Sequence, residues 1–532
     1  MKEYRRIEMN PKQLDALVDR VKSRTMQEGD DQAVEAMAET IKVLHAAVEK
    51  KSSSIKRLLR LLFGSPTETS ERVLEKRKKR KEQTAGDGAP NASGTGKTKR
   101  KGHGRRAAVE YTGAERVAVQ HESLSPAARC PECPNGKVYR LKQSSSVLCI
   151  RGSAPLQAVR YELERYRCNL CGTVFTAAAP DGCSASKYDE TVGSMIALLK
   201  YGSGFPFNRL EKLQQGFGVP VPASTQWQII NRKADAIRGA YEELLRQGAQ
   251  GTVIHNDDTS AKILEFMTAA HEPADPSRTG TFTTGIFSRL GDHTVALYCT
   301  GNKHAGENLA DLLAAREAGR DPPIQMCDAL SRNLPKPFQV VLAHCMVHAR
   351  RNFVDIADLF PEECRMVLET LKQVYHHDAL ARLDGVSDEQ RLAIHREKSA
   401  PLMSELHTSL SKMIKQKTVE PNSALGEAIS YMLKHWEPLT RFLEVPGAPL
   451  DNNVCEQVLK RAIMHRKNSL FFKTRRGAAV GDLYMSLIHT CFLNAVDPFD
   501  YLTTLEKHHT ELDANPERWM PWNYRENRGG SA

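Results

Sequence analysis

Between Gly251 and about Phe353 the chain carries five short runs with the look of strands, at 252–257, 282–287, 294–299, 323–328 and 339–344. A helical stretch from His304 to Arg316 separates the third run from the fourth. The order is therefore three strands, a helix, a fourth strand, a helix and a fifth strand. No other feature restricts the fold as much, although spacing alone leaves several α/β arrangements open. The first run, Thr252-Val-Ile-His-Asn-Asp, ends at Asp257, and the fourth, Pro323-Ile-Gln-Met-Cys-Asp, ends at Asp328.

A third acid follows much later. Glu456 stands in Asp451-Asn-Asn-Val-Cys-Glu-Gln, where a helical pattern begins. At about 100° per residue, Val454, Cys455, Val458, Leu459 and Ala462 form an apolar stripe. Asn453, Glu456, Gln457, Lys460 and Arg461 fall on the other side, so the Glu would point along the edge of a cleft. Two aspartates at strand ends and a glutamate on a helix can converge as a carboxylate cluster for two divalent metals. Such a pair activates an attacking oxygen and stabilises a leaving oxygen in phosphodiester chemistry. Hard oxygen ligands point to Mg²⁺ or Mn²⁺ rather than zinc. Asp258 adjoins Asp257 but faces the other way if the strand continues. No Ser, Tyr or Cys setting suggests a covalent intermediate.

A chain of 532 residues needs several domains. No apolar stretch approaches the roughly 18 residues that span a bilayer, and no signal-peptide core precedes the rest, so no membrane is expected. The formal net charge of +11 is concentrated: from Glu71 to Arg106 there are 13 Lys/Arg against 4 Asp/Glu. That tract suits sequence-independent contact with phosphates. Before it, residues 34–62 carry heptads with Val34, Ile41, Val48, Ile55 and Leu62 at a, and Met37, Leu44, Lys51 and Leu58 at d. β-branched a and Leu d residues favour a parallel two-stranded coiled coil. A homodimer or higher oligomer is therefore expected. From Gly86 to Gly104 the Gly, Ser, Ala, Pro and Lys content predicts a flexible linker.

Cys130-Pro-Glu-Cys133 and Cys168-Asn-Leu-Cys171 are paired knuckles with alternating, strand-like segments between them. In a reducing compartment four such thiolates read as a closed structural Zn²⁺ site. Residues 186–247 look helical, with a glycine-containing turn after Pro206-Phe-Asn-Arg-Leu and a second helix from Ala223 or Ser224. A helix-turn-helix would put Gln226 or Asn231 of that helix near base edges. Arg350 and Arg351 suit phosphate binding, and Arg466 with Lys467 could hold a scissile strand beside the metals. Cys345 and His348 are soft ligands three residues apart with no matching pair; a structural thiol and a DNA or active-site histidine are the preferred reading. Between Asp328 and Glu456 lie 127 residues, and the apolar face Leu425, Ile429, Met432, Leu433 and Trp436 predicts helices there.

Taken in order along the chain, these motifs resemble the DDE transposases of bacterial insertion sequences, specifically the insertion-sequence-66 family. The likeness runs from Leu58-Leu-Arg-Leu-Leu-Phe-Gly64 and Gly102-His-Gly-Arg105, through the cysteine module, to Ile254-His-Asn-Asp-Asp-Thr259. It continues with His344-Cys-Met-Val-His-Ala-Arg-Arg351, Asp451-Asn-Asn-Val-Cys-Glu456, Arg466-Lys-Asn-Ser-Leu-Phe471 and Pro521-Trp-Asn523. Three positions depart from the family: Asp258 replaces a more usual Glu, Cys327-Asp-Ala-Leu replaces an Asp-Gly-Tyr setting, and Gln457 replaces Arg. None removes a carboxylate.

The resemblance implies a multidomain α/β chain with a ribonuclease-H-like catalytic domain, whose first and fourth strands are neighbours and which holds an α-helical insertion. The expected division is a coiled-coil helix at 25–65, basic linker at 66–108, zinc module at 109–185 and helix-turn-helix-like region at 186–247. The core follows at 248–355, the insertion at 356–445, the rest of the core at 446–500 and a tail at 501–532. It implies metal-dependent cleavage and strand transfer at transposon ends in the bacterial cytoplasm, with DNA and small accessory transposition proteins as partners. Open alternatives are a catalytically silent DNA-binding relative and a metal-dependent nuclease without strand transfer.

Overall fold

The computed structural model describes residues 153–167, 174–178, 187–267 and 280–527, with isolated positions elsewhere. The chain divides into two compact units, 1–86 with 356–369 and 87–355 with 370–532. The sheet and all three carboxylates belong to the second. The heptads, the basic tract and Cys130, Cys133, Cys168 and Cys171 lie outside the described residues.

A small antiparallel pair comes first, β1 (Arg165–Arg167) with β2 (Val174–Thr176). Of the strand-like pattern expected between the cysteine pairs, β1 is only three residues long, and 158–164 before it are exposed without regular structure. Four helices follow: α1 (Glu190–Ala197), α2 (Phe207–Gly216), α3 (Ala223–Ala236) and α4 (Arg238–Gly248). The turn between α2 and α3 contains Gly218 at φ 74°, a conformation glycine adopts without strain.

The main sheet has five strands: β3 (Val253–Ser260), β4 (Phe282–Leu290), β5 (His293–Gly301), β6 (Ile324–Cys327) and β7 (Val341–His344). Their order is β5-β4-β3-β6-β7. β3, β4 and β5 form an antiparallel meander, while β3 pairs with β6 and β6 with β7 in parallel. The first and fourth strands of the sheet are therefore neighbours. Helix α5 (Ala305–Leu313) joins β5 to β6, and α6 (Met346–Ile356) follows β7. Helices fill the stretch before the second half of the core: α7 (Pro361–Leu383), α8 (Asp388–Ile394), α9 (Ala400–Lys415) and α10 (Ala424–Lys434). On α10 Leu425, Ile429 and Met432 are buried, as their spacing predicts.

Helices α11 (Asn453–Ser469) and α12 (Arg475–Leu493) then return to the sheet. α12 shields its β5 edge. Asp482, Ser486, Thr490 and Asn494, four residues apart, accept the backbone N–H groups of Thr300, Tyr298, Ala296 and Thr294 at 2.7, 3.0, 3.1 and 3.2 Å. Helix residues four apart rise about 6.0 Å, close to the roughly 6.6 Å between alternate strand residues, so a single helix face serves an entire edge. An edge that would otherwise offer unpaired donors is closed.

The segment after 501, expected to be a tail, is part of the core. Helices α13 (Pro498–Lys507) and α14 (His509–Ala514) bury Tyr501, Leu502, Leu505 and Leu512, and Trp519, Met520 and Tyr524 join them. Their apolar periodicity is real but short, and the polar residues between them concealed it. No helix among the described residues is long and apolar enough to cross a membrane.

Candidate active site

Strand register places the two aspartates. Val253, Ile254 and His255 of β3 stand beside Ile324, Gln325 and Met326 of β6, so Asp257 and Asp328, two residues further on each, lie at the same level. They share a sheet face, because side chains repeat every second residue. Directly across from Asp257 on β4 is Gly285. Here α11 touches the sheet: a Cβ at Gly285 would lie 2.9 Å from Leu459 Cδ2, and the Cys455 thiol donates to the Gly285 carbonyl at 3.3 Å. Asp257 therefore faces the helix whose first turn carries Glu456.

Asn452 fixes where that helix begins. It is fully buried; its amide donates to the Asn256 carbonyl at 3.3 Å, and its Oδ1 lies 3.0 Å from His255 Nδ1. Burial holds His255 down to about 4, so the ring is neutral and Nδ1 carries the proton that Asn452 accepts. Its own N–H donates to the Cys345 thiol at 3.3 Å, tying the helix start to the end of β7 as well. The half-buried Glu456 sits one turn along. Sequence reading passed over both Asn452 and Gly285. An isolated glycine within a strand pattern was the available signal for close backbone approach.

Asp257 is pushed up to about 7, first by burial and then by the neighbouring Asp328 carboxylate. Burial raises the Cys455 thiol well above its ordinary value, and the charges of Asp257, Asp328 and Glu456 add to that rise. Three hard-oxygen donors are thus within electrostatic reach of one buried thiol, and two of them repel one another. A divalent cation would relieve that repulsion, so the two aspartates fit such a group, although the donor atoms of all three acids do not gather within 4.8 Å of one another among the described residues.

Asp258 has a different task. On the opposite face its Oδ2 lies 3.0 Å from His304 Nδ1 and accepts the Ala305 N–H at the start of α5, while Arg332 lies 3.3 Å from Oδ1. Both oxygens are used inside the fold.

Beyond Asp328 the ligand chemistry changes. His348 Nδ1 lies 2.8 Å from Asp328 Oδ1, and contact with that carboxylate, then with Cys345, raises His348 to about 10. One donor atom each from Asp328, Cys345 and His348 lie within 4.8 Å of one another. Cys345, expected to be a structural thiol, is one of these three. From the helical stretch before the second half of the core, Tyr431 and His435 border this end of the sheet: His435 packs edge-on against His344, and burial followed by Asp328 raises Tyr431 to about 12.

The structure separates the candidate DNA contacts. Arg351 and Lys467 are exposed, and Arg350 is half-buried. Arg466 donates to Thr259 Oγ1 and Ser260 Oγ at 3.1 and 2.6 Å, which anchors the α11 C-terminus to the end of β3. Gln226 does not reach outward. It is buried, and its amide donates to the Val221 and Phe207 carbonyls, satisfying backbone that the α2–α3 turn leaves open. Asn231 is half-buried and accepts from Arg476 of α12 at 2.7 Å. The outward face of α3 is instead Ser224, Gln228, Arg232 and Asp235, each about one helical period from the next.

The chain is 26% identical over 435 residues, 77% of its length and 81% of the relative's, to Uncharacterized protein y4jD of Sinorhizobium fredii (strain NBRC 101917 / NGR234). It is 22% identical over 471 residues to y4hP of the same organism, covering 84% of this chain and 83% of that one. A third relative there, y4qI, is 27% identical over 357 residues, 63% and 62% of the two chains. The family described as Transposase IS66 family matches residues 185–480, a span that holds β3 to β7, both aspartates and Glu456, and the chain belongs to that family.

Proposed function

We propose that this chain is a DDE-type transposase that cleaves the ends of an insertion sequence and joins them to target DNA. What supports the reading is the parallel register of β3 with β6, which brings Asp257 level with Asp328 just past the end of β6, on the side where α11 packs. The sheet order, with its helical stretch before α11, supports a ribonuclease-H-like catalytic domain. Asp257, Asp328 and Glu456 would hold Mg²⁺ or Mn²⁺. When bound, two such cations supply Lewis acidity, favouring an oxygen nucleophile and neutralising charge on the leaving oxygen.

The protein's own part is positioning. Asn452 and Gly285 set the height of Glu456 over the two aspartates, and Asp258 holds the start of α5 and the loop after Asp328 through Arg332. Lys467, Arg350 and Arg351 offer charge to the DNA backbone, while Arg466 holds the end of β3 in place. Gln228 and Arg232 replace Gln226 and Asn231 as the side chains of α3 that face outward to DNA. The four-cysteine Zn²⁺ module, the heptad dimer, the basic tract and small accessory proteins complete the reading as further elements of end recognition.

The test is cleavage and joining of a cognate end in Mg²⁺. Asp257→Asn, Asp328→Asn and Glu456→Gln should each abolish both steps, with losses that do not add, and leave DNA binding largely intact. Asp258→Asn should keep substantial joining activity. Joining by Glu456→Gln would remove Glu456 from the triad; cleavage without joining by the unaltered protein would favour the nuclease alternative.

A further inference from the structure

We infer that Asp328, Cys345 and His348 form a binding site for a borderline divalent cation of the zinc class, different in chemistry from the all-oxygen set that shares Asp328. The backbone builds it. The Cys345 N–H donates to the Cys327 carbonyl at 3.1 Å, which holds the end of β7 level with the end of β6, where Asp328 follows. His348 lies three residues after Cys345 in the first turn of α6, on the same side of the chain. The three donor atoms fall within 4.8 Å of one another. Tetrahedral zinc with ligands at about 2.0–2.3 Å needs donors about 3.3–3.8 Å apart, a small adjustment.

Two further observations bear on the site. Asp328 Oδ1 and His348 Nδ1 are shielded from solvent and paired with each other at 2.8 Å, so a cation bound here would replace the proton that now joins them. The Asn452 N–H directed at the Cys345 sulfur is the kind of outer contact that supports a ligating thiolate. Thiolate and imidazole select zinc-like cations over Mg²⁺, and three protein ligands leave a fourth position for water or a phosphate oxygen. The site stands on these side chains alone. Its consequence, that a zinc-class ion takes Asp328 from the hard cations and slows cleavage, rests on the function proposed above.

Zinc content of the intact chain, equilibrated with Zn²⁺ and desalted, is the measurement. Cys345→Ser and His348→Ala should each hold one equivalent fewer than the unaltered protein, whatever the four-cysteine module contributes to all of them. With Co²⁺ in place of zinc, the difference spectrum against Cys345→Ser should show sulfur-to-cobalt charge transfer. His348→Cys, which keeps a soft donor, should restore the equivalent, separating ligand loss from unfolding. Equal zinc in all variants, or a loss that His348→Cys does not reverse, overturns the site. No DNA enters the measurement, so a protein that binds zinc here yet joins no ends would sink the proposed function and leave the site standing.

Discussion

Gly285→Ala tests whether packing at one strand position sets the height of the helix that carries Glu456. The added Cβ would lie 2.9 and 3.0 Å from Leu459 Cδ2 and Cγ, and 3.4 Å from Val458 Cγ1. Carbon atoms rest at about 3.5–4.0 Å, so half an ångström or more must be found. Leu459 is buried and the Cys455 thiol holds the same helix to the same strand, so α11 must yield as a body. Overpacking of this kind costs about 1–3 kcal/mol. The lost freedom of the unfolded glycine offsets about 0.4–1 kcal/mol. A net loss of about 1–2 kcal/mol in urea unfolding is expected, with cleavage falling by about 10–100-fold because Glu456 rides on the displaced turn. Gly301→Ala is the control: its Cβ meets nothing within 4 Å and should be harmless. Leu459→Val should be less damaging in the Gly285→Ala background than alone, since it makes the missing room. Unchanged stability and cleavage in Gly285→Ala, or strict additivity with Leu459→Val, would refute the argument.

The closed edge of β5 gives a second measurement. Ser486→Ala and Thr490→Val each strand a buried strand N–H, at about 1–3 kcal/mol in denaturant unfolding, whereas Thr490→Ser keeps its acceptor and should cost far less. Losses below about 0.5 kcal/mol would mean that the ladder is incidental. Asp482 supplies a pH signature, since burial pushes it up to about 7 against the opposing Thr300 donors. Its unfolded value is about 3.9, so between those limits the folded state binds more protons. This contribution to stability is complete below about pH 4, declines as pH rises to about 7 and is flat above. Asp482→Asn should flatten that decline, and an unchanged slope would show that Asp482 ionises normally.

Much of this architecture was legible because it follows from local pattern. All five strands of the sheet fall at the five strand-like runs, and the apolar stripe of α11 packs as its spacing predicts. What stayed hidden depends on partners distant in sequence. An outward Gln226 is the expectation for a polar residue on a helix, yet its amide turns inward to the Val221 and Phe207 carbonyls, partners that lie outside its own helix. Arg466 was assigned to DNA on its charge, yet the end of β3, 206 residues away, uses it.

The paired acids at 257 and 258 show where the two kinds of information meet. Alternation along a strand sends neighbouring side chains to opposite faces, which separates the pair without saying which face is the site. Register with β6 separates them: Asp257 lies level with Asp328 and opposite Gly285, which is why it is the one proposed to share a cation with Asp328. The other is taken by the start of α5, His304 and Arg332, groups that repay its burial with charge and hydrogen bonds. One carboxylate is left crowded by a like charge, and its neighbour is fully engaged. That asymmetry is what burial and pairing produce when one acid must stay open to a ligand and the other must hold the frame around it.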